Sequence, residues 1–485
     1  IHKMPIKPHH LDRRVIFGGV APLPCLPRED AQNRHADEHV DRVQAGHREI
    51  QGRQDGQRHR TGELAAMKVS GTIRVPGDKS ISHRALILAA LADGTSRIRG
   101  ILDSEDVQST ASVLRLLGVD VPELTTDFTI TGKGVRGFTQ PTRDLDCGNS
   151  GTTARLITGA IAGNEIHARI VGDESLSKRP MRRVTEPLAE MGAVIEYPET
   201  RDSLPITITG GKLYALDWDN VTSSAQVKSA ILLAGLTGKA KVTVTEKIPS
   251  RDHTERMLRA MGARVDSVKR TVELKPVKSL APLDIQIPGD PSSAAFFIAA
   301  AVLAQSGELT IENVCLNTTR TGFIMILIAA GASIEYRNER TSGGELVGDI
   351  IVRPATLGAI EVEAEDIVSM IDEIPLLACV AAAAGVEARV TGAGELRVKE
   401  SDRIAAIVSN LKAIGADIDE LPDGFHIKER IGALAGEVTT HRDHRIAMSF
   451  GVLERLTGGA VKLDEKESVA VSYPGFWRDL ERVTQ

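Results

Sequence analysis

In "GDKSISHRAL", Gly77 to Leu86, a helical run opens on Lys79 and Ser80, with Arg84 about one turn and a residue further along. Backbone N–H groups at a helix start, a hydroxyl and two cations would together hold a phosphate or a carboxylate. The layout recurs. "DCGNSGTTARLITG", Asp146 to Gly159, sets Gly148, Asn149, Ser150 and Gly151 before a helical run containing Arg155, and glycines there let a ligand approach the backbone. "ESLSKRPMRRV" supplies Lys178, Arg179, Arg182 and Arg183, while "VTSSAQVKSAILLAGL" brings Ser223, Ser224, Gln226 and Lys228 to another apolar run. None is a Walker A loop, because Asp78 breaks the Gly-Lys adjacency that motif needs.

Carboxylates enter in the second half. "MIDEIPLLA" carries Asp372 and Glu373, "RVKESDRIAA" carries Lys399, Glu400 and Arg403, and "HRDHRIAMSF" carries Arg442, His444 and Arg445. Taken singly, each stretch reads as a capped helix or a solvated charge run. Together they suit a reaction between two anionic substrates: cations neutralise phosphate and carboxylate groups, and a carboxylate or a lysine moves protons.

The elements that must position these residues repeat. Five stretches close an apolar helical run on glycine before a β-branched run: "LRLLGVDV", "LAEMGAVIE", "LRAMGARVD", "ILIAAGASIE" and "NLKAIGADID", with a weaker sixth copy in "LERLTGGAVKL". Glycines 118, 192, 262, 331 and 415 stand where a helix needs a left-handed residue before the chain turns into a strand. A second doubling, "VPGDKSISHRALILAAL" from Val75 and "IPGDPSSAAFFIAAAVL" from Ile287, divides the six units into three and three. The pattern predicts an α/β fold of two similar domains, each of three repeated units, with chain crossings near Pro76–Lys79 and Pro288–Asp290 and a ligand cleft between them. The expected division is domain 1 from 67–78 plus 289–485 and domain 2 from 79–288.

At 485 residues, 42% hydrophobic and 26% charged, the chain has the balance of a globular protein, and no apolar run is expected to reach membrane-spanning length. The formal charge of -6 gives no general attraction to polyanions, and 3% aromatics argues against a stacking platform, so no nucleic-acid partner is expected and phosphate must be held by a local cluster. Cys25, Cys147, Cys315 and Cys379 are scattered with no Cys-x-x-Cys pair, which fits a reducing cytosol rather than a disulfide framework or a zinc site. Residues 1–66 lack hydrophobic periodicity and serine, and hold seven of the thirteen histidines. They read as a disordered or non-native extension, with the functional chain expected to start at Met67.

From Met67 onward the chain resembles the 5-enolpyruvylshikimate-3-phosphate (EPSP) synthases over roughly 420 residues, through the motifs Gly-Asp-Lys-Ser, Gly-Asn-Ser-Gly-Thr, Lys-Arg-Pro-Met, Ser-Ala-Gln-x-Lys, Val-Lys-Glu-Ser-Asp-Arg and Asp-His-Arg-x-Ala-Met. The resemblance implies the enolpyruvyl transferase fold, an inside-out α/β barrel in each domain, with the active site in the interdomain cleft. It implies that Lys79, Ser80, Arg84, Ser223, Ser224, Gln226, Asp372 and Lys399 contact shikimate 3-phosphate. Phosphoenolpyruvate would be held by Lys79, Asn149, Gly151, Arg179, Gln226, Arg403 and Arg445. The reaction implied is addition and elimination, with Asp372 as base at the 5-hydroxyl, Glu400 as acid and base at C3, and Lys79 supporting proton transfer. It requires no metal and no cofactor, and the family context implies a cytoplasmic bacterial monomer with no membrane partner.

Two features set the chain apart. Many family members carry a Lys before the terminal aromatic-Pro pair, where this chain has Val471, so one phosphate contact is missing or replaced. "RDHTE" (Arg251–Glu255) and "NTTR" (Asn317–Arg320) resemble the second class of the family, often tolerant of the inhibitor glyphosate, whereas Gly151 is the small residue typical of sensitive enzymes. The alternatives are the sister UDP-N-acetylglucosamine enolpyruvyl transferases and an inert or RNA-end-binding relative. The sister enzymes use a mobile-loop Cys that "ESLSKRPM" lacks, and the acidic balance argues against RNA.

Overall fold

Four of the sheets in the structure, a computed structural model describing residues 64–429 and 432–484, repeat one strand order. In Leu145–Asp146, His167–Val171, Ile206–Thr209 and Val194–Glu196, given in spatial order, the first pair is parallel and the rest antiparallel. The sheets built on Leu216–Asn220, on Ile360–Val362 and on Gly71–Ile73 follow the same plan. A three-stranded sheet (Asp284–Gln286, Thr95–Arg99, Asp127–Thr131) and a two-stranded one (Gly436–Val438, Val461–Leu463) keep its first members. Among the described residues, six sheets, three in each half, match the six repeats read in the sequence. All five repeat glycines have the expected positive φ, from +86° at Gly118 to +111° at Gly192.

One expected strand is absent. Residues 119–126 after Gly118 pair with nothing as a strand. Pro122 lacks a donor, and the Arg115 guanidinium takes the carbonyls of Val121 and Pro122, both at 2.7 Å, in place of a ladder.

The halves exchange their first strands. Gly71–Ile73 pairs with Leu309–Cys315 of the later half, and Asp284–Gln286 pairs with Thr95–Arg99 of the earlier one. Apolar burial follows the exchange: one core gathers Met67–Val75 with Ala294–Val483, the other Ile81–Ile287 with Cys315. The two crossings lie side by side. Asp78 N–H donates to the Pro288 carbonyl at 2.8 Å and Asp290 N–H to the Pro76 carbonyl at 2.9 Å. Leu64 and Ala65 already pack on the body, ahead of the expected start at Met67; the rest of the N-terminal extension, residues 1–63, lies outside the described residues.

The expectation about apolar runs needs correction. Ala364–Ala384 is long and apolar enough to cross a membrane by length and composition, but 72% of its most apolar window is buried inside the body. The run consists of two helices, Ala364–Met370 and Ile374–Ala384, joined by a tight turn at Ile371–Glu373, and that turn delivers Asp372 to the cleft.

Candidate active site

The cleft between the halves has a volume of about 360 Å³, within the range of small-molecule sites. Eleven Lys and Arg side chains line it against five Asp and Glu, a local excess of positive charge in a chain whose net charge is -6. Every residue assigned from sequence lines it except Asn149. Asn149 stands one residue back: its carbonyl accepts from Arg179 Nη2 at 2.7 Å, and its amide donates to Asp173 at 2.6 Å.

Helix starts aim the cationic wall. The Asp78 carboxylate caps Lys79–Ala90 by accepting from Ile81 N–H at 2.9 Å, so Lys79 and Ser80 occupy the first turn. The Lys79 ammonium pairs with Asp106. Ser150 caps Gly151–Ala162 through Thr153 N–H, and this helix presents Arg155, whose Nη1 donates to Gln226 at 2.5 Å. Burial lowers the Arg155 pKa to about 10. Arg84 is nearly fully enclosed: its three guanidinium nitrogens donate to Thr254, Ser229 and the Ser80 carbonyl at 2.7–2.9 Å. Burial lowers its pKa to about 10 as well. Ser223 adopts φ +47° and accepts from Ile248 N–H at 2.9 Å, while Ser224 heads the helix Ala225–Gly238 without a side-chain capping bond.

Carboxylates of the later half meet these cations across the cleft. Arg179 reaches Glu400 at 3.1 Å, Arg183 reaches Glu395 at 2.6 Å and Arg251 reaches Asp372 at 2.5 Å. Arg403 anchors the acidic pair. Its guanidinium contacts Glu400 at 2.7 Å, Asp443 at 2.8 Å and Asp372 at 3.7 Å, with Lys399 also 3.7 Å from Asp372. Burial alone would raise both site carboxylates, yet Arg251, Lys399, Arg445 and Arg403 hold Asp372 well below the usual range. Arg403 and Arg179, with Lys399, do the same for Glu400. Both therefore rest ionised. Burial drives the His444 imidazole down to about 4, so it stands neutral at the cleft edge.

Several lining residues were not assigned to the site from sequence: Asp106, Arg155, Arg183, Lys247, Arg251, Arg320, Glu395 and His444. Arg155, Arg183 and His444 sit inside motifs already quoted, which was the available signal. Arg251 and Arg320 belong to "RDHTE" and "NTTR". Lys228, by contrast, is a core residue: it is 2% exposed and held at 2.8 Å by both Glu246 and Glu255. Lys178 and Arg182 are exposed and pair locally with Glu174 and Glu186. Val471 does not line the cleft.

The fold is that of the enolpyruvyl transferases: the enolpyruvyl transferase NikO from Streptomyces tendae superposes with a TM-score of 0.65 over 88% of this chain and 97% of that one at 18% identity, a likeness of fold. The model of the family EPSP synthase (3-phosphoshikimate 1-carboxyvinyltransferase) matches residues 65–480, and the chain belongs to that family. A 3-phosphoshikimate 1-carboxyvinyltransferase from Sulfurihydrogenibium sp. (strain YO3AOP1) is 46% identical over 424 residues, 86% of this chain and 98% of the relative. Its counterpart from Bacillus pumilus (strain SAFR-032) is 41% identical over 418 residues, with the same coverage. The structure of EPSP synthase from Acinetobacter baumannii aligns at TM-score 0.78 and 39% identity, over 88% of this chain and 98% of that one. The chain is thus an enzyme of the shikimate pathway, a carboxyvinyl transferase.

Proposed function

We propose that the cleft transfers the enolpyruvyl group of phosphoenolpyruvate to the 5-hydroxyl of shikimate 3-phosphate by addition and elimination. The observation that carries this is the joint held by Arg403: two ionised carboxylates, Asp372 and Glu400, share one buried guanidinium while Arg251 and Arg179 reach them from the other half. Asp372 takes the hydroxyl proton as the oxygen adds to C2 of the enol. C3 gains a proton from Glu400, giving a tetrahedral adduct; the same carboxylate then removes a C3 proton as the C2–O bond to phosphate breaks. Lys79 and the arginines stabilise the charge on the departing phosphate.

Glu400 must hold a proton at one stage, although Arg403 and Arg179 keep it ionised. Phosphoenolpyruvate resolves the conflict, because its anionic groups would take up those two cations and let the carboxyl pKa rise. Lys79, Ser80, Arg84, Ser223, Ser224, Gln226, Asp372 and Lys399 are assigned to shikimate 3-phosphate. Lys79, Gly151, Arg179, Gln226, Arg403 and Arg445 are assigned to phosphoenolpyruvate, with Asn149 fixing Arg179 rather than facing the ligand. Arg155 and Lys247 supply positive charge that compensates for Val471.

The two apolar cores support domains of 67–78 plus 289–485 and of 79–288. Buried free thiols at Cys147, Cys315 and Cys379 suit a reducing cytoplasm, where we take the chain to act as a monomer. The packing of Arg251–Glu255 against Asn317–Arg320 supports placement in the second, glyphosate-tolerant class. A Cβ at Gly151 would lie 3.0 Å from Arg155 Nη1 and 3.6 Å from Arg179 Nη1, so Gly151→Ala should crowd the inhibitor further. Inhibition as strong as that of a sensitive reference enzyme, at equal phosphoenolpyruvate, removes the assignment of tolerance.

The deciding experiment measures inorganic phosphate released from phosphoenolpyruvate with shikimate 3-phosphate and, separately, with UDP-N-acetylglucosamine. Release with the first alone is expected; release with the second alone assigns the chain to the sister transferases.

A further inference from the structure

The two crossings share one buried cation. Arg320, on the loop between Leu309–Cys315 and Gly322–Ala329, is 4% exposed. Its Nη1 donates to Asp78 at 3.0 Å, and its Nη2 donates to Asp290 at 2.8 Å and Ser292 Oγ at 2.9 Å. Asp78 and Asp290 are the matching caps of the two repeated helices. Asp290 also reaches across: its Oδ2 accepts the backbone N–H of Lys79 at 3.1 Å. Lys79 is therefore fixed by its own cap and by the opposite crossing, and the planar guanidinium fork holds those two carboxylates in register. The loop carrying Arg320 is pinned as well, since Asn317 Nδ2 donates to Asp252 at 2.7 Å and to Glu345 at 2.9 Å.

We propose that Arg320 is a positioning residue for Lys79, acting through Asp78 and Asp290 and so coupling the arrangement of the two halves to the lysine in the cleft. Both of its terminal nitrogens bond the crossings, and although Arg320 also borders the cleft, that fork is the contact through which it reaches Lys79. The inference rests on the reading of Lys79 as a participant in the transfer. A displacement of Lys79 by about 1 Å is enough to cost on the order of 10²-fold in rate.

The test is a double-mutant cycle on the full chain, reading kcat and KM for both substrates in Lys79→Ala, Arg320→Gln and the combined variant, with Arg320→Lys beside them. Arg320→Gln is expected to lower kcat on the order of 10²-fold with a smaller change in either KM. The combined variant should be no slower than Lys79→Ala alone, and Arg320→Lys, which keeps the charge but not the fork, should remain impaired. Losses that multiply in the combined variant, a change confined to KM, or wild-type rates in Arg320→Lys overturn the proposal. Near-normal turnover in Lys79→Ala overturns the site reading itself, a result distinct from those. If Arg320→Gln fails to fold because two carboxylates are left buried and unpaired, Asp78→Asn with Asp290→Asn and Arg320→Gln removes all three charges. That variant should fold and stay slow, and wild-type kcat in it overturns the proposal.

Discussion

The helices Lys79–Ala90 and Pro291–Leu303 begin alike and end in different employment. Both follow Pro-Gly-Asp, both are capped by the aspartate, and both caps are held by Arg320. Beyond the cap, the first sets Lys79, Ser80, His83 and Arg84 where the second has Pro291, Ser292, Ala295 and Phe296. Phe296 and Phe297 pack instead against Tyr473 and Phe476, with ring centroids 5.4–6.1 Å apart. A repeated backbone thus divides its duties: one copy faces the ligand cleft, and its double builds core.

Breaking the first copy should stop turnover without unfolding the chain. Lys79→Ala is expected to lose about 10²–10⁴ in kcat, read by phosphate release, with a melting temperature close to the parent, and Asp372→Asn, in the turn across the cleft, to lose as much. Breaking the second should do the reverse. Phe297→Ala is expected to cost about 3–5 kcal/mol in urea unfolding while the folded fraction keeps its kcat; a loss of kcat in fully folded Phe297→Ala would end the division of duties.

Acid sharpens the contrast, because only the first copy buries a histidine. Burial drives His83 down to about 3, against an ordinary value near 6.5. Between those values the unfolded chain binds a proton that the folded one refuses, so stability falls as pH drops from 6.5 toward 3, by about 2 kcal/mol at pH 5. His444, lowered to about 4, adds a similar slope between 6.5 and 4. His83→Gln should flatten the profile of unfolding midpoint against pH, and an unchanged profile refutes the assignment. The smallest effect belongs to the rim: Arg183→Gln, which removes the partner of the half-exposed Glu395, should change stability by about 0.2–1 kcal/mol and KM more than kcat.

The repeats were legible because their signals are local. Each glycine sits where only a left-handed residue continues the chain, and each capping Asp stands three residues from the N–H it accepts or nearer. The missing strand after Gly118 escaped because Arg115 and Pro122 act together, which no alternation pattern encodes. Thirteen of the fourteen assigned site residues line the cleft, since motifs carry them at helix starts. Arg251 and Arg320 were left out for a physical reason: their partners Asp372 and Asp78 lie 121 and 242 positions away, and no local pattern reports such a meeting.

The ion pairs across the cleft give it the character of an ion exchanger. Arg179, Arg183 and Arg251 are already neutralised by Glu400, Glu395 and Asp372, so an arriving phosphate or carboxylate displaces a resident carboxylate instead of meeting a bare cation. Affinity is then the difference between two anions competing for one guanidinium. Its dependence on ionic strength should be shallower than eleven lining cations would suggest, and inorganic phosphate or sulfate should compete at the same seats.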